Sequence, residues 1–103
     1  MKYVVMVQIP IEHGNAMVKE PGFVEKIQSI LSFQKAESVY FGMYNGHRTA
    51  FYVTDIADAS KIPSVTESWW LWLNAKIDLV PVMTPQDLGK AMPDLANCVK
   101  TFG

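Results

Sequence analysis

The alternation of apolar and polar positions predicts a β-strand at the start of the chain, from Met1 to Ile9. Successive side chains of a strand point to opposite faces of a sheet, so alternate positions share a face. One face of this strand is wholly apolar and the other is mixed. The apolar face contains Tyr3, Val5, Val7 and Ile9, and the mixed face contains Lys2, Val4, Met6 and Gln8. Pro10 cannot donate to a ladder and ends the strand.

A β-hairpin is predicted between Ser38 and Val53, where two aromatic and β-branched runs flank Asn45-Gly46. This dipeptide favours a two-residue turn, which fixes the register from Tyr44 opposite His47 to Val39 opposite Tyr52. One face then carries Tyr40, Tyr44, His47, Thr49, Phe51 and Val53, and the other carries Val39, Phe41, Met43, Arg48, Ala50 and Tyr52. Both faces are too apolar to remain in water, so the sheet requires a cover on each side. The face with Phe41 and Tyr52 is the better candidate to meet helices. Mid-strand Gly42 indicates a bulge or a close approach.

Apolar residues at three- and four-residue spacing predict two helices, over Pro21–Gln34 and from the region of Ser60 to about Asn74. The segment 11–22 is predicted to be a loop with one helical turn from Asn15. The residues 54–60 are predicted to lead into the second helix, with Asp55 among the possible caps. On that helix Trp69 and Trp72 share the apolar stripe and are predicted to be core. Trp70 lies off the stripe, where it could contact a neighbouring subunit or the C-terminal helix.

The last strand and helix are predicted from position 76 onward. The residues 76–83 alternate as a strand, and Pro81 places that strand at a sheet edge because proline cannot donate a ladder hydrogen bond. Thr84-Pro85-Gln86-Asp87 has the residues of a helix start, with threonine as N-cap, proline at the first position and an acid at the third. The apolar stripe of this helix continues to Phe102 and is interrupted by Pro93.

The order β-α-β-β-α-β with a C-terminal helix predicts a single α+β domain over residues 1–103, with the ferredoxin-like arrangement and a four-stranded antiparallel sheet. Right-handed crossovers place both main helices on one face of that sheet. The other face stays open and is predicted to pair with a second copy of the chain, which makes the protein a homodimer.

Composition narrows the partners of this domain. The 103 residues carry a net charge of -1 without a basic run, which argues against nucleic-acid binding. No segment approaches the roughly 18 apolar residues of a membrane span, and the N-terminal apolar run is too short for a signal peptide. Cys98 is the only cysteine, which suits a reducing compartment. We therefore expect a cytoplasmic protein that binds neither nucleic acid nor membrane.

Several segments resemble the dimeric α/β-barrel superfamily, and most of all one of its small bacterial families without an assigned function. They are the strand K-Y-V-V-M-V, the turn region G-M-Y-N-G, the strand exit at Thr54-Asp55 and the run D-L-V-P-V-M-T-P-Q-D-L after a tryptophan-rich helix. The resemblance covers nearly the whole chain and implies that two sheets pair into a closed barrel, often around a cavity. The superfamily includes muconolactone-isomerase-like proteins, cofactor-free monooxygenases and haem-handling proteins, so it does not select one activity.

A cavity at the open sheet face is the first functional hypothesis. It would bind a small apolar or aromatic molecule and would be lined by Val4, Met6, Gln8, Tyr40, Tyr44, Thr49, Phe51 and Val80. A second hypothesis is a cofactor-free isomerase or monooxygenase acting on a small cyclic substrate, in which Tyr44 and His47 or Asp78 move the proton. A third is a structural or regulatory dimer whose cavity is filled by side chains. The simpler alternative for His47 is an exposed hairpin tip, and for Asp78 a solvated edge-strand carboxylate.

The remaining titratable residues do not add a site. His13 beside Glu12 is expected on a surface loop, at the same end of the sheet as Asp55. Taking strand three as parallel to strand one separates His13 from His47 by about 20 Å, too far for a shared metal ion. The sequence has no haem-ligand motif, phosphate loop, Ser-His-Asp pattern or zinc spacing. We therefore predict no cofactor and no metal.

Overall fold

The computed structural model describes residues 1–103, which form four strands and four helices. The strands are β1 (Lys2–Gln8), β2 (Glu37–Tyr44), β3 (His47–Asp55) and β4 (Lys76–Pro81). The helices are α1 (Ile11–Lys19), α2 (Phe23–Phe33), α3 (Pro63–Leu73) and α4 (Pro85–Phe102), and a short 3₁₀ turn at Ala59–Lys61 precedes α3. None of the four helices combines the length and apolarity that a membrane crossing requires.

The strands form one antiparallel sheet in the order β2-β3-β1-β4. The predicted α+β class with a four-stranded antiparallel sheet is therefore confirmed, and the arrangement is consistent with a ferredoxin-like fold. β4 lies at an edge, as Pro81 predicts, since its neighbour on one side is β1 and it has none on the other. The central strands β1 and β3 contain the most deeply buried side chains of the sheet.

The core lies between one face of the sheet and the helices. Val5 and Val7 of β1 are both 0% exposed, and Tyr52 of β3 is 1% exposed. From α3 the core receives Val65, Trp69 and Leu73. This confirms that the wholly apolar face of β1 and the Ala50–Tyr52 face of the hairpin meet the helices. Trp70 and Leu71, which lie off the stripe of α3, are exposed in the subunit.

A buried hydrogen-bond network crosses this core and joins α2, β3 and α3. The indole Nε1 of Trp69 donates to the Tyr52 hydroxyl at 2.9 Å, and that hydroxyl donates to Oε1 of Gln34. Gln34 Nε2 donates to the Val65 carbonyl at 3.0 Å, and Thr54 Oγ1 donates to the Gln34 carbonyl at 2.6 Å. Gln34 is the one polar residue on the apolar stripe of its predicted helix, and the network satisfies its side chain where an unpaired amide would be costly.

The hairpin register is confirmed from the turn to Tyr40, which pairs with Phe51. Beyond that pair the predicted Val39–Tyr52 pairing is interrupted, because the register shifts and Glu37 pairs with Val53. Ser38 lies in the shift with a φ of 51°. The irregularity is therefore at Ser38 and not at Gly42, which pairs regularly with Thr49. As a result, Glu37 lies on the face of the sheet opposite the helices.

The prediction of a loop over residues 11–22 is wrong, because Ile11–Lys19 is a helix. Gly14 and Met17 are buried in it, so packing against the body of the protein stabilises a segment whose glycine and asparagine disfavour helix. The next helix begins later than predicted. Pro21 lies before it, and Gly22 is its N-cap with a φ of 80°.

The expected position of His13, at the same end of the sheet as Asp55 and far from His47, is also wrong. β3 is antiparallel to β1, and Gln8 at the end of β1 pairs with Thr49 near the start of β3. His47 and the entry to α1 therefore lie at the same end of the sheet. Asp55 pairs with Lys2 at the other end. Asp55 is not a helix cap either: it belongs to β3, and Asp58 accepts the capping hydrogen bond from Ser60 N at 2.9 Å.

The C-terminal helix α4 extends away from the rest of the subunit. The predicted start is confirmed, because Thr84 and Asp87 form a capping box. The helix continues through Pro93, and all of its residues except Ala91 are exposed. The radius of gyration is 17.1 Å, against about 13 Å for a compact domain of this length. Leu88, Met92, Leu95, Val99 and Phe102 thus form an apolar stripe without a partner in the subunit.

Candidate functional site

The face of the sheet opposite the helices, here called the open face, has an apolar centre between two polar ends. Its centre contains Val4, Met6, Tyr40, Phe51, Val53 and Val80. Tyr40 is 70% exposed and Val80 is 42% exposed. The residues that the sequence predicts for a sheet-face cavity therefore do share one face. Within one subunit this face encloses no cavity, so a sheet-face cavity would require a second cover.

At the hairpin end of the open face, Tyr44 and His47 are directly opposite each other as the last pair of β2 and β3. His47 Nδ1 lies 2.7 Å from the Asn45 carbonyl oxygen. A carbonyl only accepts, so Nδ1 carries the ring hydrogen and Nε2 is the acceptor of the neutral ring. The amide nitrogen Nε2 of Gln8 lies 3.1 Å from the same nitrogen. Because an N–H cannot donate to a protonated Nδ1, this tautomer requires the Gln8 amide to be flipped so that its oxygen faces the ring. This arrangement fixes the ring and leaves Nε2 available as a base.

The other predicted polar residues of the open face do not join this pair. Thr49 is buried, and its hydroxyl donates to the His47 carbonyl at 3.1 Å. Asp78 is exposed and lies opposite Met6, two strands from β3 and about four residues along from His47, which corresponds to roughly 16 Å. The subunit therefore brings Tyr44 together with His47 but not with Asp78.

The opposite end of the open face carries an ion cluster that the sequence analysis missed. Lys2 Nζ donates to Glu37 Oε2 at 3.1 Å and to Asp55 Oδ2 at 3.2 Å. The hydrogen bond to Glu37, followed by the one to Asp55, raises the pKa of Lys2 above its usual value. The bulge at Ser38 places Glu37 on this face. A regular hairpin register would place Glu37 on the other face, so the sequence pattern alone does not predict the cluster.

The cavity that the subunit contains lies on the other side of the sheet, between the hairpin end and helices α1 and α2. We call it the helix-side pocket. It has a volume of about 460 Å³ and is lined by 14 residues, ten of them hydrophobic. They are Val7, Ile9, Met17, Val18, Phe23, Val24, Ile27, Gln28, Phe41, Gly42, Arg48, Thr49, Ala50 and Trp69. No pattern in the sequence predicts this pocket.

The pocket exists because no helix covers β2 near the hairpin turn. Phe41 of β2 belongs to the helix-facing side, yet 63% of it is exposed because no helix covers it. Val18 and Val24, from the neighbouring ends of α1 and α2, are also partly exposed. A sequence signal existed in Arg48, a charged residue in the otherwise apolar helix-facing set of the hairpin.

No three His, Cys, Asp or Glu side chains converge in an arrangement that could hold a metal ion. Cys98 is exposed on α4. Comparison with known proteins returned no match, whether with protein-family models, with curated proteins or with solved structures.

Proposed function

We propose that the protein binds a small apolar or aromatic molecule, and that the helix-side pocket is the binding site. The observation that carries this proposal is a largely apolar cavity of about 460 Å³ already present in one subunit. Pockets for small molecules typically measure roughly 300–1,000 Å³ and are mostly apolar with a few polar groups. The pocket has this composition, with Arg48 and Gln28 among its polar residues.

A pair of matched substitutions tests the site against the sheet-face cavity that the sequence predicts. Val24 on α2 lines the helix-side pocket and is 47% exposed, and Val80 on the open face is similarly exposed. Val24→Trp fills the pocket without displacing a buried residue, and Val80→Trp adds the same bulk to the open face. Titration calorimetry with naphthalene-2-carboxamide, a neutral aromatic probe, measures binding to each variant.

We expect Val24→Trp to weaken probe binding at least tenfold and Val80→Trp to leave it unchanged. The reverse result would move the site to the open face, among Val4, Met6 and Tyr40. If the unmodified protein binds neither the neutral probe nor its carboxylate counterpart, small-molecule binding is rejected and a structural or regulatory dimer is favoured.

We also propose that the chain forms a homodimer of the dimeric α/β-barrel kind, with a ferredoxin-like domain in each subunit, and that it acts in the cytoplasm. Two unpartnered apolar surfaces support the dimer: the centre of the open face and the stripe of α4. The stripe repeats at four- and three-residue steps, the spacing that packs one helix on another. A second copy offers both complementary surfaces at once.

The area of these surfaces suits a stable dimer. Four strands of about seven residues cover roughly 19 by 23 Å. An 18-residue helix is about 27 Å long and about 10 Å wide. The whole open face, including its polar ends, and one side of α4 together present on the order of 700 Å², close to the ~800 Å² per partner of a standard interface.

Sedimentation velocity at micromolar concentration tests the dimer. We expect a dimer for the unmodified chain and a monomer for Tyr40→Lys, because the substitution puts an unpaired charge in the interface. Leu71→Lys is the control, since Leu71 is even more exposed but lies on α3. A monomeric unmodified chain would refute the dimer. A dimeric Tyr40→Lys variant would refute the placement of the dimer interface on the open face.

A cofactor-free isomerase or monooxygenase is the alternative function, and the Tyr44–His47 pair favours it. The Nε2 acceptor of His47 could take a proton from a small cyclic substrate bound near Tyr44. For any substrate found to turn over, Tyr44→Phe and His47→Ala should each abolish turnover while the dimer persists. Unchanged rates would remove both residues from the reaction.

A further inference from the structure

Arg48 is the only charged residue that lines the helix-side pocket. It lies on β3 two positions before the buried Ala50, on the face that meets the helices. The chain therefore places a permanent positive charge beside a cavity whose other walls are mainly hydrocarbon. A cation in such a position is stabilised by an anionic partner.

The Arg48 guanidinium has no anionic partner in the subunit. Its one side-chain hydrogen bond runs from Nη1 to the neutral Oδ1 of Asn15, at 3.1 Å. The salt bridges of the subunit involve only Lys2 and the N-terminal amine, at the far end of the sheet. A guanidinium has five N–H donors, so four remain for other acceptors.

Gly14 leaves room for this guanidinium to approach α1. A Cβ atom at position 14 would lie 2.7 Å from Arg48 Nη1, closer than such atoms approach each other in proteins. A glycine at that position, together with the Asn15 amide one residue later, lets the arginine head rest on the helix beside the pocket. The side chain of Arg48 is exposed, and its hydrogen bond to Asn15 holds the guanidinium against α1 beside the pocket.

We propose that the helix-side pocket binds an apolar or aromatic carboxylic acid, with the carboxylate on the Arg48 guanidinium and the hydrocarbon part against the apolar walls. This inference rests on the proposed small-molecule site and specifies its ligand class. The planar guanidinium fork matches the two oxygens of a carboxylate. One positive charge neutralises one carboxylate, whereas a phosphate dianion would keep a net charge beside an apolar wall.

Paired probes of equal size test the charge requirement. Naphthalene-2-carboxylate and naphthalene-2-carboxamide differ in one group, and titration calorimetry gives the affinity of each. We expect the unmodified protein to bind the carboxylate at least tenfold more tightly than the amide, because the Arg48 guanidinium forms a charge-assisted hydrogen bond with the carboxylate only. Arg48→Met should remove that preference, and Arg48→Lys should restore part of it.

Lys19→Met is the matched control, because Lys19 ends α1 but does not line the pocket. It removes one positive charge and should keep the preference for the carboxylate. Binding of the amide to Arg48→Met shows that the pocket of this variant is intact.

The outcomes separate the two proposals. Equal affinity of the unmodified protein for both probes would overturn the carboxylate inference and leave small-molecule binding in place. An unchanged preference in Arg48→Met would also overturn it. Absence of binding by both probes would reject the site, and the ligand class with it.

Discussion

The two faces of the sheet alternate residue by residue along the same strands, yet only one is covered. Val5 and Val7 are fully buried beneath the helices, while Val4 and Met6, which alternate with them, lie on the open face and keep part of their surface in water. The difference comes from topology, because both crossover connections place their helices on one side. The wholly apolar face of β1 is the covered one, yet apolar residues are not confined to it, because the open face also carries Val4 and Met6.

The polar groups of the two faces differ in the same way. On the covered face Gln34, Tyr52 and Trp69 hydrogen-bond to one another away from water. On the open face the polar groups lie mainly at the two ends, and at one of them Lys2 pairs with exposed carboxylates. Asp78 is the exception, because it lies opposite Met6 beside the apolar centre. We expect the covered network to contribute to stability, whereas exposed ion pairs contribute little.

The largest expected effect is at the centre of the covered face. Trp69→Ala removes a side chain that is 1% exposed and leaves the Tyr52 hydroxyl without its donor. We expect it to lower the free energy of unfolding by about 3–5 kcal/mol. A urea titration measures the change. Leu71→Ala, on the exposed side of the same helix, should change stability by less than about 0.5 kcal/mol. Similar losses from both would break the comparison between buried and exposed positions.

The next effect concerns alkaline pH. Burial raises the pKa of Tyr52 to about 12 from 10.0, since the phenolate would be poorly solvated there. Below pH 10 the phenol is neutral in both states. Between pH 10 and about 12 the unfolded chain loses the proton while the folded chain keeps it, so stability falls as the pH rises. The loss reaches about 2–3 kcal/mol.

Urea titrations across this pH range should show a steeper decline for the unmodified protein than for Tyr52→Phe. Lysines and the exposed tyrosines titrate in both proteins and cancel in the difference. Parallel pH profiles would contradict the burial of this phenol.

A smaller effect compares two adjacent valines of β1. Val5→Ala on the covered face should lower stability by about 2 kcal/mol, and Val4→Ala on the open face by less. Urea titration at low protein concentration measures the contribution of each within one subunit. If a second copy covers the open face, the cost of Val4→Ala should increase with protein concentration. A stability loss for Val4→Ala that does not change with protein concentration would argue against a second copy on the open face.

Local chemistry explains which elements the sequence could predict. Asn45-Gly46 defines the turn and the register next to it, and Thr84 with Asp87 defines the start of α4. α1 was missed because its stability depends on burying Gly14 and Met17 against distant residues. The bulge at Ser38 was missed for a similar reason, since no glycine or proline marks it.

The candidate site was predictable only in part. Alternation assigned Tyr40, Tyr44 and Phe51 to one face without any knowledge of the fold. The relative positions of His13 and His47 depend on the direction of β3, which is antiparallel to β1 and not parallel to it. The helix-side pocket depends on where α1 and α2 end relative to Phe41, a distance that periodicity does not encode.

The packing of α3 also gives the protein a built-in chromophore. The indole rings of Trp69 and Trp72 stack with centroids 6.4 Å apart and planes 20° from parallel, and Lys26 Nζ lies 4.5 Å from the Trp72 ring centroid. Electronic transitions of two rings at this separation couple, which should produce an exciton couplet in circular dichroism. Because Trp69 also lines the helix-side pocket, the couplet offers a label-free optical signal for occupancy.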